Sequence, residues 1–134
     1  MSDEGIRELL MSAEKAVTNA YAPYSNFRVG AAVRTEKGHI FSGCNVENAS
    51  YGLSNCAERS AIFAAVSGGH SSIVGVAIVA ATGAVPYPCG ACRQVMSEFC
   101  PPTTPIYVAG FNRLHEYEAI TLGELLPKTF RLRR

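Results

Sequence analysis

Ile73-Val74-Gly75-Val76-Ala77-Ile78-Val79-Ala80-Ala81 is a continuous apolar run rich in β-branched residues and bounded by turn residues. Its length and composition fit a central buried strand, and it is too short to span a bilayer. The segments on either side read as helices. Upstream, Asn55 is a candidate N-cap for a helix from Cys56 to about Ser67, stopped by Gly68-Gly69. Downstream, Thr82 to Tyr87 is a connection, and Cys89 opens a second helix that reaches about Phe99 before Pro101-Pro102. A buried strand between two helices is the signature of a layered α/β domain.

Farther out, Asp3 to Ala20 places Ile6, Leu9, Leu10, Ala13, Ala16, Val17 and Ala20 at helical spacing, which predicts a helix covering one sheet face. Pro23 is its expected end. Tyr21 to Asn26 is an aromatic-rich loop. Phe27 to Arg34 reads as a strand, turned by Glu36-Lys37-Gly38 into a second strand from His39 to about Cys44. The polar stretch Asn45 to Gly52 then joins strand to helix, a position where a rigid scaffold commonly holds ligand groups. Pro105 to Ala109 is one more short strand. Thr121-Leu122-Gly123-Glu124 fits a capping box for a last short helix ended by Pro127. The order is helix, hairpin, helix, strand, helix, strand, short helix, on a mixed sheet.

The composition is that of a globular chain. With 134 residues, one domain spanning 1–134 is expected. Charged residues make up 17% and hydrophobic residues 48%, which excludes disorder and leaves room for a subunit interface. A net charge of +1 gives no reason to expect a nucleic acid partner. The basic ending Arg131-Leu132-Arg133-Arg134 reads as a solvated tail. Met1-Ser2-Asp3-Glu4 is acidic and does not resemble an export signal, so a cytoplasmic, membrane-free protein with reduced cysteines is expected. Cys44 and Cys100 read as small buried hydrophobes.

The remaining three cysteines carry the chemistry. Cys56-Ala57-Glu58-Arg59 and Pro88-Cys89-Gly90-Ala91-Cys92 together offer three thiolates and one carboxylate that need not be a ligand. A redox reading of Cys89-x-x-Cys92 leaves Cys56 unexplained, and no histidine or further cysteine stands at a convincing spacing to close a structural zinc site. Three protein ligands with an open position is the catalytic arrangement. Helix N-termini stabilise thiolates, and Arg59, one turn from Cys56, is placed to donate hydrogen bonds that offset their charge. Glu58, three after Asn55, fits an N-terminal capping arrangement and also a general acid/base beside a metal-activated water. Zinc deaminases carry a ligand-x-Glu followed by Pro-Cys-x-x-Cys, with a three-cysteine form. Cys56-x-Glu58 and Pro88-Cys89-x-x-Cys92 match that form, which favours the proton-transfer role.

Several further stretches follow the same pattern in order: Tyr21 to Phe27, Val29-Gly30-Ala31-Ala32, Gly43 to Gly52, Pro88 to Gln94, and Leu122 to Pro127 with Phe130. Over nearly its whole length the chain resembles the small homotetrameric cytidine deaminases. The resemblance implies a three-layer α/β/α domain with a mixed five-stranded sheet. It implies one Zn²⁺ per subunit on Cys56, Cys89 and Cys92, with Glu58 as proton shuttle and Arg59 compensating the thiolate charge. Asn45 and Glu47 would bind the ribose hydroxyls, Phe27 would pack on the pyrimidine, and the backbone at Ala57 and Cys89 would help read the base. Phe130 would enter a neighbouring subunit's site. Tyr87 departs from the pattern, standing where a small polar residue often precedes Pro-Cys.

The reaction so implied is hydrolytic deamination of cytidine and 2′-deoxycytidine in pyrimidine salvage, with hydroxide formed at zinc adding to C4. A same-fold deaminase of a blasticidin-type antibiotic or of cytosine in RNA is the nearest rival. The ribose pair argues for a free nucleoside, because a polymer's 3′ oxygen is esterified. A non-catalytic zinc-binding module is the rival from another class, and it requires a fourth protein ligand.

Overall fold

Ile73–Ala80 forms the central strand of a five-stranded mixed sheet in the computed structural model, which describes residues 1–82 and 85–132. The elements run α1 (Asp3–Val17), β1 (Val29–Thr35), β2 (Ile40–Cys44), α2 (Ala57–Ser67), β3 (Ile73–Ala80), α3 (Gly90–Phe99), β4 (Pro105–Gly110), β5 (Glu118–Thr121) and α4 (Leu122–Leu125). Single 3₁₀ turns lie at Tyr51–Leu53 and Leu114–Glu116. The strand order is β2-β1-β3-β4-β5. Of the four strand pairs in this sheet, β3–β4 is the parallel one, with α3 as its crossover.

Alternation along the strands divides the core in two. Val29, Ala31 and Val33 of β1, Val76 and Ile78 of β3, and Ile106 and Val108 of β4 pack with α2 and α3. Ala32, Ala77, Val79, Tyr107 and Ala109 point to the other face, where Ile6, Leu9, Leu10, Ala13 and Val17 of α1 cover them. The result is the three-layer arrangement, with every residue of β3 except Val74 buried on one face or the other. Two glycines set how closely the layers approach. A Cβ on Gly30 would lie 2.0 Å from the Ala13 carbonyl oxygen, and one on Gly43 would lie 2.6 Å from the Ala61 nitrogen.

Several boundaries differ from the expectations. Helix α1 ends at Val17, not Ala20, because Thr18 to Ala20 turn back on themselves through short-range bonds to Lys15, Ala16 and Val17. The strand at Phe27 starts only at Val29. Strand β5 has no apolar alternation: Glu118 and Ala119 are exposed at the sheet edge, and the pairing to β4 alone defines it. Asn55 does not cap α2; Cys56 occupies the N-cap. Asn55 is held by mutual backbone bonds with Val46, while its side chain donates to the Ser60 hydroxyl. The Thr121–Glu124 capping box is present. Cys100 is buried in the core, but Cys44 is only half-buried at the end of β2. All five cysteines are free. Arg131 and Leu132 are exposed; Arg133, Arg134 and residues 83–84 of the connection lie outside the described residues.

Candidate metal centre and its cavity

Two helix starts meet beneath the sheet end. Cys56 and Cys89 are the N-cap residues of α2 and α3, and neither side chain is spent on capping its own helix. Cys92 lies in the first turn of α3 and is buried. The unpaired N–H groups of both helix starts therefore surround the sulfurs with positive potential. The Cys56 and Cys89 Sγ atoms are 3.9 Å apart, those of Cys89 and Cys92 3.5 Å, and all three lie within 4.8 Å of one another. Tetrahedral Zn–S bonds of about 2.3 Å place neighbouring sulfurs about 3.8 Å apart, so this donor set fits zinc. Among the described residues no fourth His, Cys or acidic ligand atom joins the three.

Charge is arranged around the sulfurs. Arg59 donates from a guanidinium nitrogen to Cys56 Sγ at 3.3 Å. The Cys56 thiol is pushed down to about 5, first by a hydrogen bond from Cys92 and then by Arg59, against the opposing effect of burial. Cys92 is pushed up by that same bond and by burial. Three sulfurs this close cannot all ionise without a cation among them, whereas a bound dication favours all three thiolates.

Glu58 is the second residue of α2 and is 5% exposed. The capping role is excluded, because the residue three before it is not the N-cap. Its carboxyl is pushed up to about 7, mainly by burial, with the nearby Cys56 sulfur adding to the effect. It lines a cavity of about 300 Å³ together with Phe27, Asn45, Glu47, Cys56, Ala57 and Cys89. Val29, Ile78, Pro86 and Tyr87 complete much of the apolar wall. Small-molecule sites have this character, an apolar hollow with a few convergent polar groups.

The polar residues at the far side already carry structural duties. Asn45 accepts from the Val29 N–H at 2.9 Å and donates to the Phe27 carbonyl at 2.7 Å, fixing the entry to β1. Glu47 accepts from the backbone N–H groups of Tyr24 and Ser25 and from the Ser25 hydroxyl. The Ser25 hydroxyl is the main cause holding the Glu47 carboxyl below its ordinary value. Asn26, in the left-handed region at φ 59°, turns the chain between this clamp and Phe27. Phe130 stands apart: it is 70% exposed, does not line the cavity, and accepts from the Gln94 side chain through its carbonyl at 3.2 Å.

Residues 3–108 match the family model described as the cytidine and deoxycytidylate deaminase zinc-binding region. This chain belongs to that deaminase family. A cytidine deaminase of Halalkalibacterium halodurans is 49% identical over 122 residues, covering 91% of each chain. One from Mycobacterium tuberculosis is 40% identical, covering 98% of this chain and 94% of that one. The crystal structure of cytidine deaminase from Burkholderia pseudomallei superposes with a TM-score of 0.86 at 45% identity, covering 97% of this chain and all of that one. The family is enzymatic and zinc-binding, and the three-sulfur group is where this member can hold the ion.

Some residues that shape the site carry no local signal. Arg93 donates to the carbonyls of Pro88 and Leu125, both at 2.8 Å, and so clamps the residue before Cys89 onto α4. Its place one turn beyond Cys89 is a weak hint. Ser25 is legible only as a turn residue, and the partner of Tyr87, in β5, is 31 residues away.

Proposed function

We propose that this chain is a zinc-dependent cytidine deaminase that converts free cytidine and 2′-deoxycytidine to uridine and 2′-deoxyuridine with release of ammonia, serving pyrimidine salvage in the cytoplasm. The observation that carries the reading is the buried Glu58 carboxyl lining the same cavity as Cys56 and Cys89, with family membership and the names of the relatives behind it. A zinc ion on the three sulfurs supplies Lewis acidity that makes hydroxide available near neutral pH. Net, water adds to C4, N3 takes up a proton, and the C4–N bond breaks with its electron pair leaving on nitrogen as ammonia. Glu58 carries these protons. Burial raises the proton affinity of its carboxyl, which suits a group that must take up a proton and give it back.

The other residues bind and orient. Phe27 packs on the pyrimidine, the backbone at Ala57 and Cys89 reads its edge, and Asn45 and Glu47 bind the sugar hydroxyls. Glu47 is held ionised by Ser25, which suits it to accept from a hydroxyl. Arg59 offsets the negative charge of the ligand set. We assign residues 1–134 to one domain that assembles as a homotetramer, with Phe130 entering a neighbour's site. The exposed Phe130 ring is available for that role.

The test is direct. Purified zinc-loaded protein is incubated with cytidine, deoxycytidine and cytosine, and ultraviolet absorbance and ammonia are followed with and without a chelator. Turnover of both nucleosides, abolished by the chelator, is expected. Binding of zinc without turnover of either nucleoside contradicts the proposal.

A further inference from the structure

Pro86 stands between two hollows, with Tyr87 beside it on one side. Both residues line the cavity that holds Glu58. Pro86 also lines a second cavity of about 510 Å³, with Glu118 and Arg113 on its other walls. Two residues beyond Tyr87 is Cys89, so the placement of this short segment bears on the substrate wall and on one of the three sulfurs.

Tyr87 N–H donates to the nearby Val85 carbonyl, at 3.0 Å. Its side chain supplies a long-range tie. The phenol hydroxyl lies 2.8 Å and 2.7 Å from the two carboxylate oxygens of Glu118, at the start of β5. Glu118 is itself fixed by the pairing of β5 with β4, opposite Val108. A charge-assisted bond to a paired strand thus holds the Tyr87 end of this segment, while Arg93 holds its Pro88 end through the Pro88 carbonyl. The carboxylate also raises the affinity of the phenol for its proton, as expected of a donor facing an anion.

We propose that the Tyr87–Glu118 bond is a latch that positions the 85–89 segment as a wall of the nucleoside cavity, making Tyr87 a positioning residue for substrate binding. The inference deepens the deaminase reading and rests on it for its kinetic consequence. The latch acts on the shape of the cavity and leaves proton transfer by Glu58 alone. Losing it therefore weakens substrate binding more than turnover.

Two readouts test it on the full-length zinc-loaded protein: hydrogen exchange at the Tyr87 and Cys89 amides, and steady-state kinetics with cytidine. Y87F and E118A are each expected to speed exchange at these amides and raise KM, both about fivefold, with kcat within twofold. The double variant should go no further than either single one, and E118Q, which keeps an acceptor oxygen, should recover most of the loss. Unchanged exchange and KM in Y87F overturn the latch, as do additive effects in the double variant. Zinc content measured alongside separates a loosened ligand from a loosened wall: loss of zinc in Y87F also overturns the proposal. Should the wild-type protein fail to turn over cytidine, the deaminase reading falls, and the exchange comparison alone decides the latch.

Discussion

Arg59 is proposed to offset the negative charge that its cysteine neighbours would carry. Its guanidinium reaches Cys56 Sγ from one turn away, and its buried Nε has no partner among the described residues. Groups that hydrogen-bond metal ligands commonly contribute ten- to a hundredfold in metal affinity. Arg59→Gln should therefore weaken zinc binding by about tenfold or more in competition with a chromophoric chelator, and unchanged affinity would remove the charge-offset role. Cys100 is a contrasting sulfur, buried in the core with burial pushing its thiol up to about 12 from the ordinary 9.0. The folded chain keeps this proton at a pH where the unfolded chain has lost it. That contribution to stability is complete below pH 9 and is lost as pH rises towards 12. Urea titrations between pH 8 and 10.5 should show the wild-type losing stability more steeply than Cys100→Ala. Parallel slopes would contradict it.

At the scale of elements, the close approach of α1 to β1 depends on a single absent side chain. A Cβ at Gly30 would meet the Ala13 carbonyl oxygen at 2.0 Å and the Val17 nitrogen at 2.7 Å, both backbone atoms that cannot turn aside. Gly30→Ala should cost about 3 kcal/mol or more in urea unfolding, and a loss below about 0.5 kcal/mol would show that the layers slide apart freely. The elements that sequence patterning reveals are those with a strong apolar period. Strand β3 is legible because it is buried on both faces, and α1 because its stripe is wide. Strand β5 is not legible, since Glu118-Ala119-Ile120-Thr121 is four residues at an edge with two of them exposed. The start of α2 is misplaced by one residue for a chemical reason. Asn55 has the usual cap chemistry, yet Cys56 takes that position because its sulfur faces the metal group instead of the helix N–H groups.

For the whole molecule, the site is assembled from segments distant in sequence: the loop before β1, the loop after β2, the segment before α3, and the N-termini of α2 and α3. The three sulfurs and Glu58 are legible beforehand because metal chemistry demands particular residue types at short spacings. The Ser25–Glu47 clamp, the Arg93 bridge and the Tyr87–Glu118 bond join positions 22 or more residues apart, and no local pattern announces them. Phe130 belongs to this scale as well: its ring is exposed, and the proposed homotetramer would place it in a neighbouring subunit's site. Sedimentation should give four times the chain mass. Phe130→Ala should keep that mass while raising KM for cytidine, and a monomeric wild-type protein with full activity would contradict the shared site.

The central claim is that Glu58 moves protons beside the zinc group without holding the metal. Its most direct test is Glu58→Gln, assayed for bound zinc and cytidine turnover in one preparation. The account predicts zinc content close to wild type and a fall in kcat of about a thousandfold, as expected for loss of a general acid/base. Near-wild-type turnover by the zinc-loaded variant would contradict it.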